Sequence, residues 1–302
     1  MKTSDIQNFC ALHRGETVPK SVFTEDLSAE LLSEGGVTRI VRGTRQSLKV
    51  VSPRAFEVFL RSKGLHPEQL DQAPDLFDAP VSRAAQVQLL GDSKVAKVRS
   101  CPGFPVNVTA PLSVRLGSRK VLLCPCPGSF LYVSDYLNFR IPKDTLVVGV
   151  ENMENFRLPE RQMQVWEQIQ EEYGEGGVPP LLLVSRYPQS KDLATWLEEI
   201  PNRYVHFGDF DLAGIHIYLT EFYARLGPER AAFFVPDDIG ERLRSSGSYE
   251  RYDTQFPRFG RMEVADVRVL PLVQLIHRCQ KGYDQEGYII PPAPQCASPG
   301  PP

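Results

Sequence analysis

The chain has 302 residues, of which 42% are hydrophobic and 24% charged, and its formal net charge is −3. That composition excludes a disordered or fibrous protein and supplies enough apolar residues for about two globular domains. The small net charge excludes no partner class, because an acidic site can offset a basic face elsewhere.

The opening segment "MKTSDIQNFCALHRG" lacks an apolar signal-type core. No stretch approaches the roughly 18–20 apolar residues of a membrane span, so a cytoplasmic protein with no membrane partner is expected. In "TEDLSAELLSEGG" (24–36), Thr24 stands at a helix N-cap, Leu27, Leu31 and Leu32 recur at helical spacing, and Gly35-Gly36 ends the helix. "VTRIVRGTRQSLKVVS" (37–52) alternates apolar and basic residues around Gly43, a hairpin pattern. "PRAFEVFLRSKG" (53–64) begins with proline at a helix start and stops at glycine. Helix, hairpin, helix implies a winged helix over 1–66. The hairpin's Arg39, Arg42, Arg45 and Lys49 suit a phosphate backbone, though basic residues also protect a solvated edge. The preceding helix is acidic (Glu25, Asp26, Glu30, Glu34), which makes it a poor reader of base edges.

Residues 66–80 read as a linker, and residues 67–140 as a whole as a linker and β-rich connector. Within it, "GDSKVAKVR" (91–99) offers Lys94, Lys97 and Arg99, either to phosphate or as a solvated turn. The six cysteines (Cys10, Cys101, Cys124, Cys126, Cys279 and Cys296) are scattered. Cys124-Pro-Cys126 is not a CxxC pair and lacks further ligands for zinc, so reduced thiols, buried or half-buried on strands, are expected.

From about residue 141, strands and helices alternate. Apolar runs at 144–152, 179–185, 203–211 and 231–236 are separated by helical patterns at 160–174, 191–200 and 213–227. Continuous apolar strands between helices predict an α/β domain with a parallel, Rossmann-like sheet whose site lies at the strands' carboxyl ends. Glu151, Asp209 and Asp211 all fall there. Three converging carboxylates need neutralising, and an oxygen-only ligand set suits a hard divalent cation such as Mg²⁺. The alternative for an Asp-x-Asp at a helix start is capping, above all by Asp211. His206 and His216 stand near enough in sequence to assist, and Arg186 and Lys191 follow the second strand, where a phosphate could be held. The tail 291–302, rich in Pro and small residues, reads as disordered or an extended arm.

"VENMENF" (150–156), "GDFDLAGI" (208–215) and "YDQEGYI" (283–289) together resemble the Toprim domain, and more narrowly that of JetD-type proteins. Those are nuclease subunits of Wadjet plasmid-defence systems, related to the A subunit of type IIB topoisomerases and to the meiotic double-strand-break protein. The resemblance covers roughly 141–290, with the core at 141–240 and an extension at 241–290. It implies Mg²⁺- or Mn²⁺-dependent cleavage of double-stranded DNA, a homodimer, and an SMC-type/kleisin motor complex as partner. It also implies Glu151, Asp209 and Asp211 as catalytic metal ligands, with Glu151 alternatively a general base or acid and Glu286 as an additional acid. Topoisomerase relatives attack with a winged-helix tyrosine, yet the first tyrosine here is Tyr132. Hydrolysis by water is therefore expected rather than strand passage. The rival readings are a primase-like phosphotransferase, for which no GxxxxGK[ST] loop is present, a non-hydrolytic DNA-binding or assembly subunit, and a plain α/β binding domain in which the Asp-x-Asp is a helix cap.

Overall fold

A computed structural model of the chain describes residues 3–70, 87, 101–174, 177–187 and 190–291. The chain divides into two compact units, Met1–Ser100 and Cys101–Pro302. The Lys94 segment, most of the expected linker and the tail beyond residue 291 lie outside the described residues.

The first unit opens with a helix the sequence patterns did not reveal, Thr3–His13. Strand β1 (Val18–Pro19) follows, then helix Glu25–Ser33, β2 (Val37–Arg42), β3 (Arg45–Val50) and helix Pro53–Ser62. Thr24 and Ser52 cap the two later helices, accepting from Leu27 N at 3.3 Å and Ala55 N at 3.4 Å. The strands form an antiparallel sheet in the order β1-β3-β2. Gly43, at φ +60°, takes the first position of the two-residue turn between paired Arg42 and Arg45, where a side chain is disfavoured. Phe9, Leu31, Leu48, Phe56 and Leu60 close the core of this unit.

The second unit is mixed α/β. Its main sheet runs β12 (Ala231–Phe233), β11 (Tyr204–Phe207), β9 (Leu146–Val150), β10 (Leu181–Ser185), β4 (Phe104–Val108), β7 (Leu131–Val133). The strands β9 to β12 are the expected ones, and they are parallel to one another. The sheet is nevertheless mixed, because β4 pairs antiparallel with β10 and β7 antiparallel with β4. Residues 101–140, the β-rich part of the expected connector, thus pair into the sheet of this unit. They also supply a small antiparallel sheet in the order β6 (Arg119–Leu123), β5 (Leu112–Leu116), β8 (Phe139–Arg140).

Every residue of β9, β10 and β11 is buried, which is why these strands read as continuous apolar runs. Successive residues of β11 face opposite sides of the sheet. Phe207 meets Trp166 of helix Met163–Tyr173 edge-on, whereas Tyr204 stacks on Phe222 in the helical run after β11. Both faces are therefore covered. That run is α-helical at Leu212–Ile217, π-helical at Tyr218–Tyr223 and α-helical again at Ala224–Leu226.

Candidate metal centre

The first parallel strand, β9, sits between the second and the third. The chain leaves it on one side to form β10, then returns past it to form β11 and β12. Connections that diverge from a central strand leave a crevice at its carboxyl end, where α/β sheets bind ligands. Glu151 directly follows β9, and its backbone N–H extends the ladder to Phe207 O at 3.1 Å. Asp209 and Asp211 follow β11, two and four residues past its end. The fold thus brings the three acids to one crevice.

Their environments differ. Glu151 Oε2 is buried and accepts no hydrogen bond. His206 Nε2 lies 3.7 Å away, an ion-pair distance too long for a hydrogen bond, and Arg186 Nη1 stands 3.9 Å from Glu151 Oε1. Burial alone would raise the Glu151 carboxyl, but His206, Arg186 and the Asp209 N–H together hold it below its ordinary value. Asp209 behaves oppositely. Burial, with the charges of Glu151 and Asp211, pushes its carboxyl up to about 7 against the Gln285 N–H and Arg251. Asp211 is almost fully buried. Its Oδ1 caps the following helix by accepting from Gly214 N at 2.8 Å. Its Oδ2 accepts from Arg251 Nη1 at 3.0 Å and Gln255 Nε2 at 2.8 Å. The capping alternative therefore holds for Asp211.

Gly208 is what lets Glu151 and His206 approach each other. A Cβ there would lie 2.7 Å from both Glu151 Oε2 and His206 Nε2. A Cβ at Gly149 would strike the Tyr204 ring, whose hydroxyl shares a 2.8 Å hydrogen bond with His206 Nδ1.

Three residues that sequence reasoning did not single out complete the site. Arg251, on helix Tyr249–Phe259, bonds Asp209 and Asp211 through Nη1 and pairs with Asp284 through Nη2. Gln255 lies one turn along the same helix, and the i, i+4 spacing was the only sequence signal linking the two. Gln285 is fully buried and ties the strand ends together. It accepts from Asn152 N at 2.8 Å, donates to Phe207 O at 2.6 Å, and its own N–H donates to Asp209 Oδ1 at 2.9 Å. In the "DQEG" stretch the glutamine, not Glu286, therefore occupies the centre. Glu286 accepts from the Asn152 side chain.

Arg186 is engaged with acids rather than turned outward, pairing with Glu221 in the π-helical segment at 2.8 Å. Lys191 opens helix Lys191–Glu199. His216 packs against Phe259 and is not part of the site, whereas His206 is. In the first unit, cross-strand pairing puts Arg42, Arg45 and Lys49 on one face of the hairpin, with Thr38 and Ser47. Arg39 is on the other face, opposite Leu48, so the four cations do not form one surface. Cys101, Cys124 and Cys126 are exposed and stand outside the strands, against the expectation of buried strand thiols.

Among the described residues, no group of three or more His, Cys, Asp or Glu side chains is arranged to hold a metal ion. The local charge nonetheless fits one. Five carboxylates (Glu151, Asp209, Asp211, Glu221 and Asp284) share two guanidinium groups, Arg186 and Arg251. Glu151 keeps an unused oxygen, and burial with the neighbouring Glu151 and Asp211 charges pushes the Asp209 carboxyl up to about 7 despite Arg251. Glu151 thus has an oxygen open to a cation. Asp209 accepts one hydrogen bond at each oxygen, from Gln285 N and Arg251, but is partly exposed, while Asp211 is buried and closed by Arg251 and Gln255. No family model and no curated protein matches this chain. No described helix is long and apolar enough to cross a membrane.

Proposed function

We propose that this chain is a metal-dependent DNA endonuclease, with a Toprim-type domain in its second unit and a winged helix in its first. One observation carries the reading: a cluster of acids, short of counter-cations, at the crevice beside the central strand of a parallel array. When bound there, Mg²⁺ or Mn²⁺ supplies Lewis-acid stabilisation of phosphate charge and acidifies a nucleophilic water. Glu151 and Asp209 would hold it, joined by Asp211 once that carboxylate is released. Glu151, already ionised and with Oε2 unpartnered, is also the group placed to take a proton from the attacking water. Gln285 fixes the distance between the two strand ends. Tyr204 and Tyr218 are fully buried and bonded to His206 and Asp266, so neither serves as a nucleophile. That supports hydrolysis over a phosphotyrosine route. Arg42, Arg45 and Lys49 form the face that would track the DNA backbone. The homodimer, the SMC-type motor partner and a role in plasmid defence rest on the resemblance alone.

One observation favours a second reading, a non-hydrolytic DNA-binding subunit: the Asp211 carboxylate is fully hydrogen-bonded without a metal. Two measurements separate them. Supercoiled circular DNA incubated with the full chain and Mn²⁺ should yield nicked or linear product that EDTA or Asp209→Ala abolishes. Covalent protein–DNA adducts would rule out hydrolysis, and absence of divalent-ion binding by calorimetry would rule out the metal site.

A further inference from the structure

Arg251 joins the acid pair to the C-terminal helices. Its Nη1 is shared between Asp209 Oδ2 at 3.2 Å and Asp211 Oδ2 at 3.0 Å, and its Nη2 pairs with Asp284. The chain makes room for this arm: a Cβ at Gly282 would lie 2.8 Å from both Arg251 Cδ and Asp211 Cβ. We propose that Arg251 is the resident counter-cation of the site, which a divalent ion must displace before Asp211 can join Glu151 and Asp209. The inference rests on the metal-site reading above and goes beyond it by naming what the ion competes with.

Three observations support it. Asp211 Oδ2 already accepts two hydrogen bonds and Oδ1 a third, so its side chain, 2% exposed, has no oxygen facing solvent for an ion while Arg251 remains. On the opposite wall, His206 Nε2 has no hydrogen-bond partner although its side chain is 1% exposed, and it points at the equally unpartnered Glu151 Oε2. Unsatisfied polar atoms in a buried crevice mark a place that a ligand completes. Finally, the Arg251 side chain is 32% exposed and Asp284 48%. The guanidinium can therefore leave the buried acids toward solvent while Asp284 still holds it. One monovalent group spread over three carboxylates leaves each only partly neutralised, so a divalent ion has the electrostatic advantage at the buried pair.

The test is Mn²⁺ binding to the full chain after EDTA treatment, measured by calorimetry for wild type, Arg251→Gln and Arg251→Lys. Arg251→Gln should bind about tenfold more tightly, the scale of one removed, partly screened ion pair. Arg251→Lys keeps the charge but cannot span three carboxylates with one ammonium, so it should also bind more tightly than wild type. The rise in melting temperature on adding Mn²⁺ should be larger in both variants. If wild type binds Mn²⁺ and both variants match it or bind more weakly, displacement is refuted while the metal site stands. If Arg251→Lys equals wild type and only Arg251→Gln is tighter, general field strength is at work and displacement is again refuted. Binding by none of the three overturns the inference and the metal reading together. Should Arg251→Gln fail to fold, Arg251→Lys decides alone.

Discussion

Replacing each aspartate of the pair by asparagine should change stability in opposite directions, although the residues are two apart in one loop. The Asp209 carboxyl is pushed from 3.8 to about 7, so the folded protein binds this proton more tightly than the unfolded chain does. Its contribution to stability is present at low pH and is lost as pH climbs from about 4 through about 7. The shift corresponds to a ceiling of about 4 kcal/mol, and sharing among coupled acids brings a working figure to about 1–3 kcal/mol. Asp209→Asn removes that penalty, and its amide oxygen can still accept from Gln285 N. The loss of one partner of Arg251 offsets part of the gain. At pH 8 the variant should be unchanged or up to about 2 kcal/mol more stable, and at pH 5 the gain should shrink. Asp211→Asn keeps its cap on Gly214 but turns an amide donor toward Arg251 Nη1 or Gln255 Nε2, both donors themselves. With that side chain 2% exposed, the unsatisfied donors and lost ion pair should cost about 2–4 kcal/mol. The assay is urea unfolding in EDTA, followed by tryptophan fluorescence. Trp166 and Trp196 are the only two tryptophans, both buried in the second unit, so the signal reports that unit alone. Equal losses in the two variants, or a loss above about 1 kcal/mol for Asp209→Asn at pH 8, would refute the reasoning.

Gln285→Leu removes the partners of two backbone groups, Asn152 N–H and Phe207 C=O, and should destabilise the second unit by about 2–5 kcal/mol in the same urea assay. Gly208→Ala must displace Glu151, because His206 is locked in the core. It should weaken Mn²⁺ binding at least fivefold by calorimetry, with a stability change of about 1 kcal/mol or less. Arg42→Ala, Arg45→Ala and Lys49→Ala combined should lower the slope of log K against log salt for duplex DNA by about 2–3, read by fluorescence anisotropy, whereas Arg39→Ala should change it little.

Much of the scaffold was legible because burial on both faces forces continuous apolar strands. The runs at 144–152, 179–185 and 203–211 each contain an observed strand, Leu146–Val150, Leu181–Ser185 and Tyr204–Phe207. Their ends were overestimated where loop residues such as Phe210 are buried without being in a strand. The capped helices and the hairpin of the first unit were legible for a local reason: Thr24, Ser52 and Gly43 act on neighbours within three residues. Helix Thr3–His13 was not singled out, although Thr3, Ser4 and Asp5 stand before Ile6, Phe9 and Cys10 at helical spacing; its buried apolar face is short, formed by Ile6, Phe9, Cys10 and Leu12. Nor was the antiparallel extension of the main sheet, because β4 pairs with a strand some seventy residues further on, and no local pattern encodes that partner.

The same distinction explains which half of the site could be foreseen. Glu151, Asp209 and Asp211 are fixed by the ends of strands, so a strand pattern and a rule about sheet crevices locate them. Arg251, Gln255 and Gln285 come from beyond the sheet, and their role depends on how the C-terminal helices pack over the crevice. That half changes the chemistry, not merely its support. Three acids alone would be a set of equivalent ligands. With Arg251 shared between Asp209 and Asp211, Gln255 on Asp211 and Gln285 on Asp209, they become unequal: Glu151 has an open oxygen, Asp209 is pushed up by burial yet partly exposed, and Asp211 is closed. On the proposed metal reading, a divalent ion would meet Glu151 and the partly exposed Asp209 first and would contend with a guanidinium for Asp211. Its affinity would then be set as much by Arg251, Gln255 and Gln285 as by the acids themselves.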